Sequence, residues 1–265
     1  KTMDEYFTAK RRLFKGLQAD PAGKARSAVI NLDDPRGKDL VDMTPCKVFT
    51  YGLGKGTQVS ADAIEMDGTG LKFRLRTPAG EEVIRSPLIG DFNVYNILAA
   101  AGAGLALDFS FKAVVRGIES LKSVPGRLER VENEKGLTLV VDYSHTPDAL
   151  LKAMRSLKPY AKGRLITVFG CGGDRDRGKR YEMGRLAGEH SDLAFITSDN
   201  PRTEDPLSIV EEIEKGMLDS GVEKWGANSH PGKGYFLEVD RRKAIRKAVA
   251  MAEERDVVLI AGKGH

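Results

Sequence analysis

The sequence contains few cysteines, no long apolar run and no excess of one charge, and each absence excludes a class of protein. Only Cys46 and Cys171 occur among 265 residues, so we expect no disulfide framework, no cysteine metal site and a reducing, cytoplasmic location. The longest apolar stretch, 97–107, is well short of the roughly 20 residues that a membrane-spanning helix needs. Lysine and arginine (42) barely outnumber aspartate and glutamate (38). We therefore expect neither a nucleic-acid nor a membrane partner.

The first half of the chain predicts helices on either side of a β-rich segment. Apolar residues recur at helical spacing through residues 3–17, which indicates an amphipathic helix. Short strand patterns, separated by turn residues, follow at 28–32, 47–51, 70–77 and 82–87. Helical patterns then cover 93–107 and 111–121, and turn residues at 123–126 predict a domain boundary. The expected domains are residues 1–123 and 124–265.

The second half predicts an α/β fold with a parallel sheet. Continuous apolar strands are expected at 137–141, 165–169, 193–197 and 257–260, with helices from 147, near 179 and from 206. Such strands alternate with helices in parallel sheets that are covered on both faces.

Each of these strands is followed directly by a polar loop. The loops are 142–145, 170–175, 198–202 and 262–265. Ligands of open α/β sheets bind at the carboxyl ends of the strands, so the loops predict one site at one edge. The alternative for any single loop is an ordinary turn, because glycine, asparagine, aspartate and proline are turn formers.

Two loops carry groups suited to an amino acid. Arg175 lies in a charged run, 174–180, that follows the glycine-rich residues 170–173. Backbone amides beside guanidinium groups favour binding of a carboxylate or phosphate over a merely solvated helix start. Asp199, Asn200, Pro201 and Arg202 place a carboxylate, an amide and a guanidinium together around a fixed turn. Arg202 could hold a carboxylate and Asp199 an ammonium, although a surface turn is the alternative.

Other residues are candidates for nucleotide contacts. Asn93 and Asn96 share a helical face and suit a purine edge, or simply cap the helix. Asp142 ends a strand, where a carboxylate can accept from ribose hydroxyls, or cap a turn. Arg127 follows a Pro-Gly turn and could form a surface ion pair instead, and His145 could be only part of its loop.

Lys10 is unusual because it falls on the apolar stripe of the first helix. An ammonium there must reach solvent, pair, or lose its charge, and reaching solvent is the default. A neutral lysine can instead react with carbon dioxide. The resulting carbamate is an anionic oxygen ligand for Mg²⁺.

Taken together, these segments resemble the Mur ligase family along nearly the whole chain. The residues that carry the resemblance are 2–10 (TMDEYFTAK), 28–34 (AVINLDD), 92–96 (FNVYN), 125–129 (PGRLE), 141–150 (VDYSHTPDAL), 168–180 (VFGCGGDRDRGKR), 197–206 (TSDNPRTEDP) and 261–265 (AGKGH). The resemblance implies the remainder of a central ATPase domain, with a mixed sheet and helices. A Rossmann-like carboxy-terminal domain with a parallel sheet follows it.

The resemblance also implies roles for single residues. Lys10 matches the carbamylated lysine that organises Mg²⁺ near the nucleotide. The residues that match ATP-contacting positions are Asn93, Asn96, Arg127, Asp142 and His145. Arg127 is also expected to be catalytic, because it matches a position that contacts phosphate. Matches to the pocket of the incoming amino acid are Arg175, Asp199, Asn200, Pro201, Arg202 and Gly262. Asp-Asn-Pro-Arg is the motif of members that add diaminopimelate.

The implied reaction is ATP-dependent amide formation in peptidoglycan precursor synthesis. It joins the D-glutamate carboxylate of UDP-MurNAc-L-Ala-D-Glu to meso-diaminopimelate through an acyl-phosphate intermediate. The enzyme is expected to be a monomer. The alternatives are a related ligase that uses L-lysine or glutamate, and a non-catalytic binding fragment.

The sequence departs from the family pattern in four ways. The family's Gly-Lys-Thr phosphate loop, its magnesium-linked histidine and the glutamate after Gly-Lys-Gly-His are not found in the sequence, and Tyr181 replaces a usual proline. We therefore expect a piece of a longer enzyme that is inactive by itself.

Overall fold

The structure, a computed structural model, describes residues 2–17, 26–226 and 232–264. It divides into two compact units, Lys1–Lys122 and Ser123–His265. The boundary expected from the sequence, between residues 123 and 124, lies next to this division. The ligand-binding roles expected for the two domains stay predictions.

The described part of the first unit, 2–17 and 26–122, contains four helices and five strands. They follow the order α1 (Met3–Lys15), β1 (Ser27–Asn31), α2 (Gly37–Met43), β2 (Lys47–Tyr51), β3 (Ser60–Asp67), β4 (Gly70–Thr77), β5 (Gly80–Ser86), α3 (Phe92–Ala106) and α4 (Phe111–Ser120). Strands β1 and β2 pair in parallel, and β3, β4 and β5 form an antiparallel sheet.

The sequence pattern did not predict α2 or β3. Strand β3 is largely exposed beyond its first residues, and its register shifts between Asp62 and Glu65 around Ala63, which has a positive φ of 51°. A bulge of this kind interrupts the alternation of apolar and polar residues, so the strand signal is weak.

Helix α3 supplies much of the core of the first unit. Its N-cap Asp91 accepts a hydrogen bond from the amide of Phe92, and its apolar face buries Val94, Ile97 and Leu98. These side chains join a cluster with strand residues such as Phe73. The burial of Asn93 within this face bears directly on the candidate site.

Helix α1 begins as the sequence predicts but does not bury its apolar stripe. Thr2 and Glu5 form a reciprocal capping box at its start. None of the described residues of α1 is buried, and Met3 and Leu13 are strongly exposed. Lys10 is exposed as well, which agrees with solvent exposure as the default for an ammonium on this stripe.

The second unit alternates strands and helices as predicted. Its elements are β6 (Glu129–Val131), β7 (Thr138–Asp142), α5 (Pro147–Leu157), β8 (Leu165–Phe169), α6 (Gly178–His190), β9 (Leu193–Ile196), α7 (Pro206–Asp219), β10 (Glu223–Lys224), β11 (Gly234–Leu237), α8 (Arg241–Met251) and β12 (Val257–Ala261). The sheet order is β10-β11-β9-β8-β12-β7-β6. All pairs are parallel except β6 with β7.

The central strands of this sheet are buried on both faces, which explains their unbroken apolar sequences. Helix α8 packs on one face, where Ala244 and Ala248 contact a cluster that includes Phe195, Phe236 and Val258. Helix α6 packs against both α5 and α7. Helix α5 contacts β8 and β12, and α6 and α7 contact β9. The sequence did not predict α8, because its buried positions are small alanines that give a weak apolar period.

Helices α6 and α7 approach closely through glycines. A Cβ atom on Gly184 would lie 2.0 Å from the Ile213 carbonyl oxygen, and one on Gly216 would lie 1.9 Å from the Tyr181 carbonyl oxygen. The hydroxyl of Tyr181, the residue that replaces a usual proline, donates to Asp219 at 2.7 Å across the same contact. No helix in the described ranges is long and apolar enough to cross a membrane.

Candidate functional site

The polar loops of the second unit meet at one edge of the sheet, as predicted. Strands β7, β12, β8 and β9 are parallel neighbours, so their carboxyl ends share that edge. The Gly262 amide donates to the Asp142 carbonyl at 3.0 Å, and the Gly173 amide donates to the Asn200 carbonyl at 2.9 Å. Lys263 Nζ donates to Asn200 Oδ1 at 3.2 Å and so joins the β12 and β9 loops.

The loops after β8 and β9 are locked together. Arg202 Nη1 donates to the Gly173 carbonyl at 2.7 Å, and the Thr203 hydroxyl donates to the Asp174 carboxylate at 2.8 Å. Asp174 and Arg202 have positive φ angles of 51° and 52°. A left-handed conformation costs an L-residue roughly 1–2 kcal/mol, so these contacts hold both loops in strained shapes.

Two cations of the charged run 174–180 contact carboxylates of the protein, which corrects the expectation that the whole run suits an anionic ligand. Arg180 is fully buried, and its guanidinium bonds Glu204 and Glu212 at 2.7–2.9 Å. Arg177 also pairs with Glu212. Of the predicted ligand groups in the run, Arg175 is exposed, with Nη1 3.3 Å from the Asp174 carbonyl oxygen.

Glu204 gives this site a predicted acid sensitivity. The hydrogen bond from Arg180, followed by that from the Asp174 amide, lowers the pKa of Glu204 from 4.5 to about 2. A lowered folded-state pKa contributes stability that is complete above the unfolded value and is lost as the pH falls through the folded value. The melting temperature of the second unit should therefore fall between pH 4.5 and pH 2, and Glu204→Gln should reduce that slope.

The control for this titration is Glu254→Gln, because Glu254 is an exposed carboxylate outside the loops. Thermal unfolding followed by circular dichroism at pH 2, 3, 4.5 and 7 measures both variants. Equal slopes for Glu204→Gln and the unsubstituted protein would contradict the linkage.

Asp199 and Asn200 already hold an ammonium group. Lys263 Nζ lies 3.5 Å from Asp199 Oδ1 in addition to its bond with Asn200. Asp199 Oδ1 is buried without a hydrogen-bond partner among the described residues, as is Nη1 of Arg241, whose Nη2 donates to the Ala261 carbonyl at 2.9 Å. Burial lowers the pKa of Arg241, and the charge of Asp199 opposes that shift.

Sequence reasoning missed Lys263 and Arg241 as members of this site. The signal for Lys263 was its position between two glycines directly after a predicted strand. Arg241 had no such signal, because the helix that it begins was not predicted. Gly262, which was predicted, is buried and has a positive φ of 101°.

The nucleotide candidates of the second unit divide into exposed and engaged groups. Arg127 is exposed, with its guanidinium 5.1 Å from the centre of the Tyr143 ring. His145 is exposed too, and its Nδ1 lies 3.0 Å from the Tyr143 carbonyl oxygen. Asp142 is buried, and its carboxylate accepts from the amides of Leu128 and Ser144 at 2.8 Å each. In this structure Asp142 therefore holds loop backbone, and its contact with ribose stays a prediction.

The nucleotide candidates of the first unit divide in the same way. Asn93 is buried, and its Nδ2 donates to the Ile89 carbonyl at 2.7 Å. Its Oδ1 accepts from Asn96 Nδ2 at 3.0 Å. Asn96 is exposed. Asn93 therefore orients the Asn96 amide, and contact of either asparagine with a purine stays a prediction.

Lys10 is exposed, and its ammonium lies 4.8 Å from the centre of the Tyr6 ring. The described residues contain no group of three or more histidine, cysteine, aspartate or glutamate side chains that could hold a metal ion. A carbamate on Lys10 would supply only its own oxygens, so the described residues would form part of a Mg²⁺ site and not a complete one. Carbamylation of Lys10 stays a prediction.

Two family models match the chain. The Mur ligase middle domain matches residues 1–104, and the Mur ligase, glutamate ligase domain matches residues 126–264. The second match covers the sheet and the four polar loops as far as Gly264; His265, the last residue of the fourth loop, lies outside the match and outside the described residues.

Curated relatives agree with these matches. A UDP-N-acetylmuramoyl-L-alanyl-D-glutamate–2,6-diaminopimelate ligase of Geobacter metallireducens is 48% identical over 268 residues, with 99% of this chain and 52% of the relative covered. The ligase of the same name from Geobacillus kaustophilus is 42% identical, with 100% and 52% covered. The chain thus spans about half the length of the curated relatives it matches.

Solved structures show the same fold. A structure of a ligase with this name superposes with a TM-score of 0.63 at 35% identity, covering 100% of this chain and 52% of the other. MurF of Thermotoga maritima, in complex with ADP, gives a TM-score of 0.71 at 18% identity, covering 99% and 54%. At that identity the second match shows the fold alone. With both family models matched and the loops gathered at one sheet edge, the chain belongs to the Mur ligase family.

Proposed function

We propose that the chain supplies the diaminopimelate-binding part, and some of the ATP-binding part, of a ligase in peptidoglycan precursor synthesis. The reaction joins the D-glutamate carboxylate of UDP-MurNAc-L-Ala-D-Glu to an amine of meso-diaminopimelate at the expense of ATP. The names of the relatives support the substrates, and the arrangement of the loops after β8, β9 and β12 supports the amino-acid site.

The observation that carries the proposal is the lysine ammonium on the Asp199 and Asn200 side chains. It indicates that this loop accepts an ammonium group next to the Arg202 guanidinium, two or three residues further along. Meso-diaminopimelate carries an ammonium and a carboxylate at the end remote from the reacting amine. Asp199 and Asn200 would hold that ammonium and Arg202 that carboxylate, with Lys263 displaced.

The acyl half of the reaction needs an activated carboxylate, because a carboxylate by itself is a poor acylating agent. ATP, as a substrate, transfers its γ-phosphoryl group to a carboxylate oxygen, ADP leaves, and an acyl-phosphate results. The neutral amine then attacks the acyl carbon, a C–N bond forms, inorganic phosphate leaves with the C–O bond electrons, and the nitrogen loses one proton to solvent. In the first unit Asn96 would contact the base of ATP. In the second unit Arg127 would offset charge on phosphate, and His145 would also contact the nucleotide.

Binding energy from the remote end of the amino acid would position the amine for attack. Orientation of this kind accounts for a large share of the rate enhancement in bimolecular reactions. Mg²⁺ would neutralise phosphate charge when bound, and Lys10 is the one candidate ligand that we assign to it. A cytoplasmic location and a monomeric state are parts of the same proposal.

The experiment measures amino-acid-dependent phosphate release in a ligase of the relatives' length that carries this 265-residue sequence. We expect release with meso-diaminopimelate, ATP and the UDP-linked dipeptide. L-lysine should be at least about 100-fold less efficient, because Arg202 would face no carboxylate. Mass spectrometry of the product identifies the amide.

Other outcomes select the alternatives. Preference for L-lysine or glutamate would assign a related Mur ligase and contradict diaminopimelate use. Absence of release with every amino acid, together with no heat of binding for ATP or diaminopimelate in calorimetry, would favour a non-catalytic protein.

A further inference from the structure

The loops that carry Arg175 and Arg202 share one buried anchor. The anchor, here called the Arg180 cluster, consists of Arg180, Glu204 and Glu212. Arg180 has no exposed side-chain surface, and it forks onto both oxygens of Glu204, with Nη1 at 2.9 Å from Oε2 and Nη2 at 2.7 Å from Oε1. Nη1 also donates to Glu212 Oε2 at 2.9 Å.

The cluster acts on the backbone of the β8 loop. Glu204 Oε1 accepts a hydrogen bond from the Asp174 amide at 2.6 Å. Asp174 has a left-handed φ of 51°, and it immediately precedes Arg175. A side chain rarely holds this conformation unless neighbouring contacts impose it. The orientation of Arg175 therefore depends on where Glu204 holds the Asp174 amide.

The cluster acts on the β9 loop as well. The Glu204 amide donates to the Pro201 carbonyl at 3.0 Å, which closes the turn around Arg202. Arg202 is the other left-handed residue of the two loops, with a φ of 52°. The loops also touch directly, since a Cβ atom on Gly172 would lie 2.9 Å from Arg202 Nη1. Glu204 thus connects the two arginine-bearing loops, and Arg180 fixes Glu204.

We propose that Arg180 is a positioning residue for amino-acid binding, which acts through Glu204 on the spacing of Arg175 and Arg202 and never touches the substrate itself. The inference rests on the proposed function for the identity of the amino acid. The role needs an arginine, because a planar guanidinium can donate to two carboxylates at once, whereas an ammonium cannot reproduce that geometry. A preformed pair of arginines lowers the entropy cost of binding a dicarboxylic amino acid.

The test variant is Arg180→Lys, which keeps the charge and removes the fork. In the full-length ligase carrying this sequence, we expect KM for meso-diaminopimelate to rise about tenfold or more and KM for ATP to change less than about twofold. Glu204→Gln, which keeps the shape of the side chain, should shift the same KM in the same direction. This second variant serves if Arg180→Lys does not fold.

The matched control is Arg164→Lys. Arg164 forms a comparable ion pair with Asp256, with Nη2 at 2.7 Å from Oδ2, but both residues precede their strands at the opposite edge of the sheet. We expect this control to lower the melting temperature without changing KM for diaminopimelate. If Arg180→Lys and Glu204→Gln behave like the control, the cluster is only structural and the inference is wrong.

Hydrogen exchange separates failure of the inference from failure of the proposed function. In Arg180→Lys, amides of the loops 170–177 and 198–205 should exchange about tenfold faster or more, whereas in Arg164→Lys they should not. Faster exchange in a ligase that uses another amino acid would sustain the positioning role and reject diaminopimelate. Unchanged exchange would overturn the positioning role whatever the substrate.

Discussion

Replacing Arg202 by lysine is expected to lower kcat/KM for meso-diaminopimelate at least about 100-fold, which corresponds to about 2.7 kcal/mol. Arg202 Nη1 is already bonded to the Gly173 carbonyl at 2.7 Å, so the guanidinium has further N–H groups to direct at a carboxylate. An ammonium on a lysine stem lacks the planar fork needed for both tasks. KM for ATP should stay within about twofold, because nucleotide contacts are assigned to other residues.

Arg242→Lys is the matched control, since Arg242 is an exposed arginine of α8 outside the four loops. Steady-state phosphate release with each substrate varied in turn measures the kinetic constants, and thermal unfolding checks that both variants fold. Unchanged diaminopimelate kinetics in Arg202→Lys would refute the assignment of Arg202. An equal loss for L-lysine and diaminopimelate would point to loop damage instead of lost carboxylate recognition.

The fold of the second unit follows from its sequence because the signals are local. Residues 165–169 were predicted as a strand and form β8 with the same bounds, and Pro206 was predicted to begin the helix that is α7. A strand buried on both faces must be continuously apolar, and Thr146 and Asp205 cap the helices that follow them. The parallel order then places the loops at one edge without further information.

Pairings between distant residues could not be predicted in the same way. Arg180 looked like one cation of an anion-binding run, because the sequence does not show that it meets Glu204 and Glu212, 24 and 32 residues later. Asp142 looked free to bind ribose, because nothing local reveals the amide of Leu128, 14 residues earlier, on its carboxylate. Pairs of this kind depend on how loops pack after the sheet has formed.

Lys10 shows the limit of periodicity arguments. The sequence predicts a helix around Lys10, and the structure contains one, α1, at Met3–Lys15. The apolar stripe of this helix nevertheless stays exposed in the described structure, and the Lys10 ammonium reaches solvent beside Tyr6. Periodicity indicates which face of a helix is apolar. It does not indicate what covers that face.

Gly173→Ala is expected to damage the amino-acid site more than its size suggests. A Cβ atom at this position would lie 1.9 Å from the Pro201 carbonyl oxygen and 2.7 Å from its carbonyl carbon. Backbone atoms cannot rotate away as a side chain can, so the β8 and β9 loops must separate. Overpacking of this kind costs roughly 1–3 kcal/mol of stability. A displacement of about 1 Å between groups that hold a substrate can lower kcat/KM about 100-fold.

The reason for so large a functional effect is that Gly173 carries two of the contacts between the loops. Its amide donates to the Asn200 carbonyl at 2.9 Å, and its carbonyl accepts from Arg202. Gly226→Ala is the control, because no atom of the residues that the structure describes lies within 4 Å of a Cβ atom there. Thermal unfolding and diaminopimelate kinetics should separate the two variants clearly. If Gly173→Ala keeps its KM for diaminopimelate, then the loops tolerate separation, and the spacing of Arg175 and Arg202 does not govern recognition.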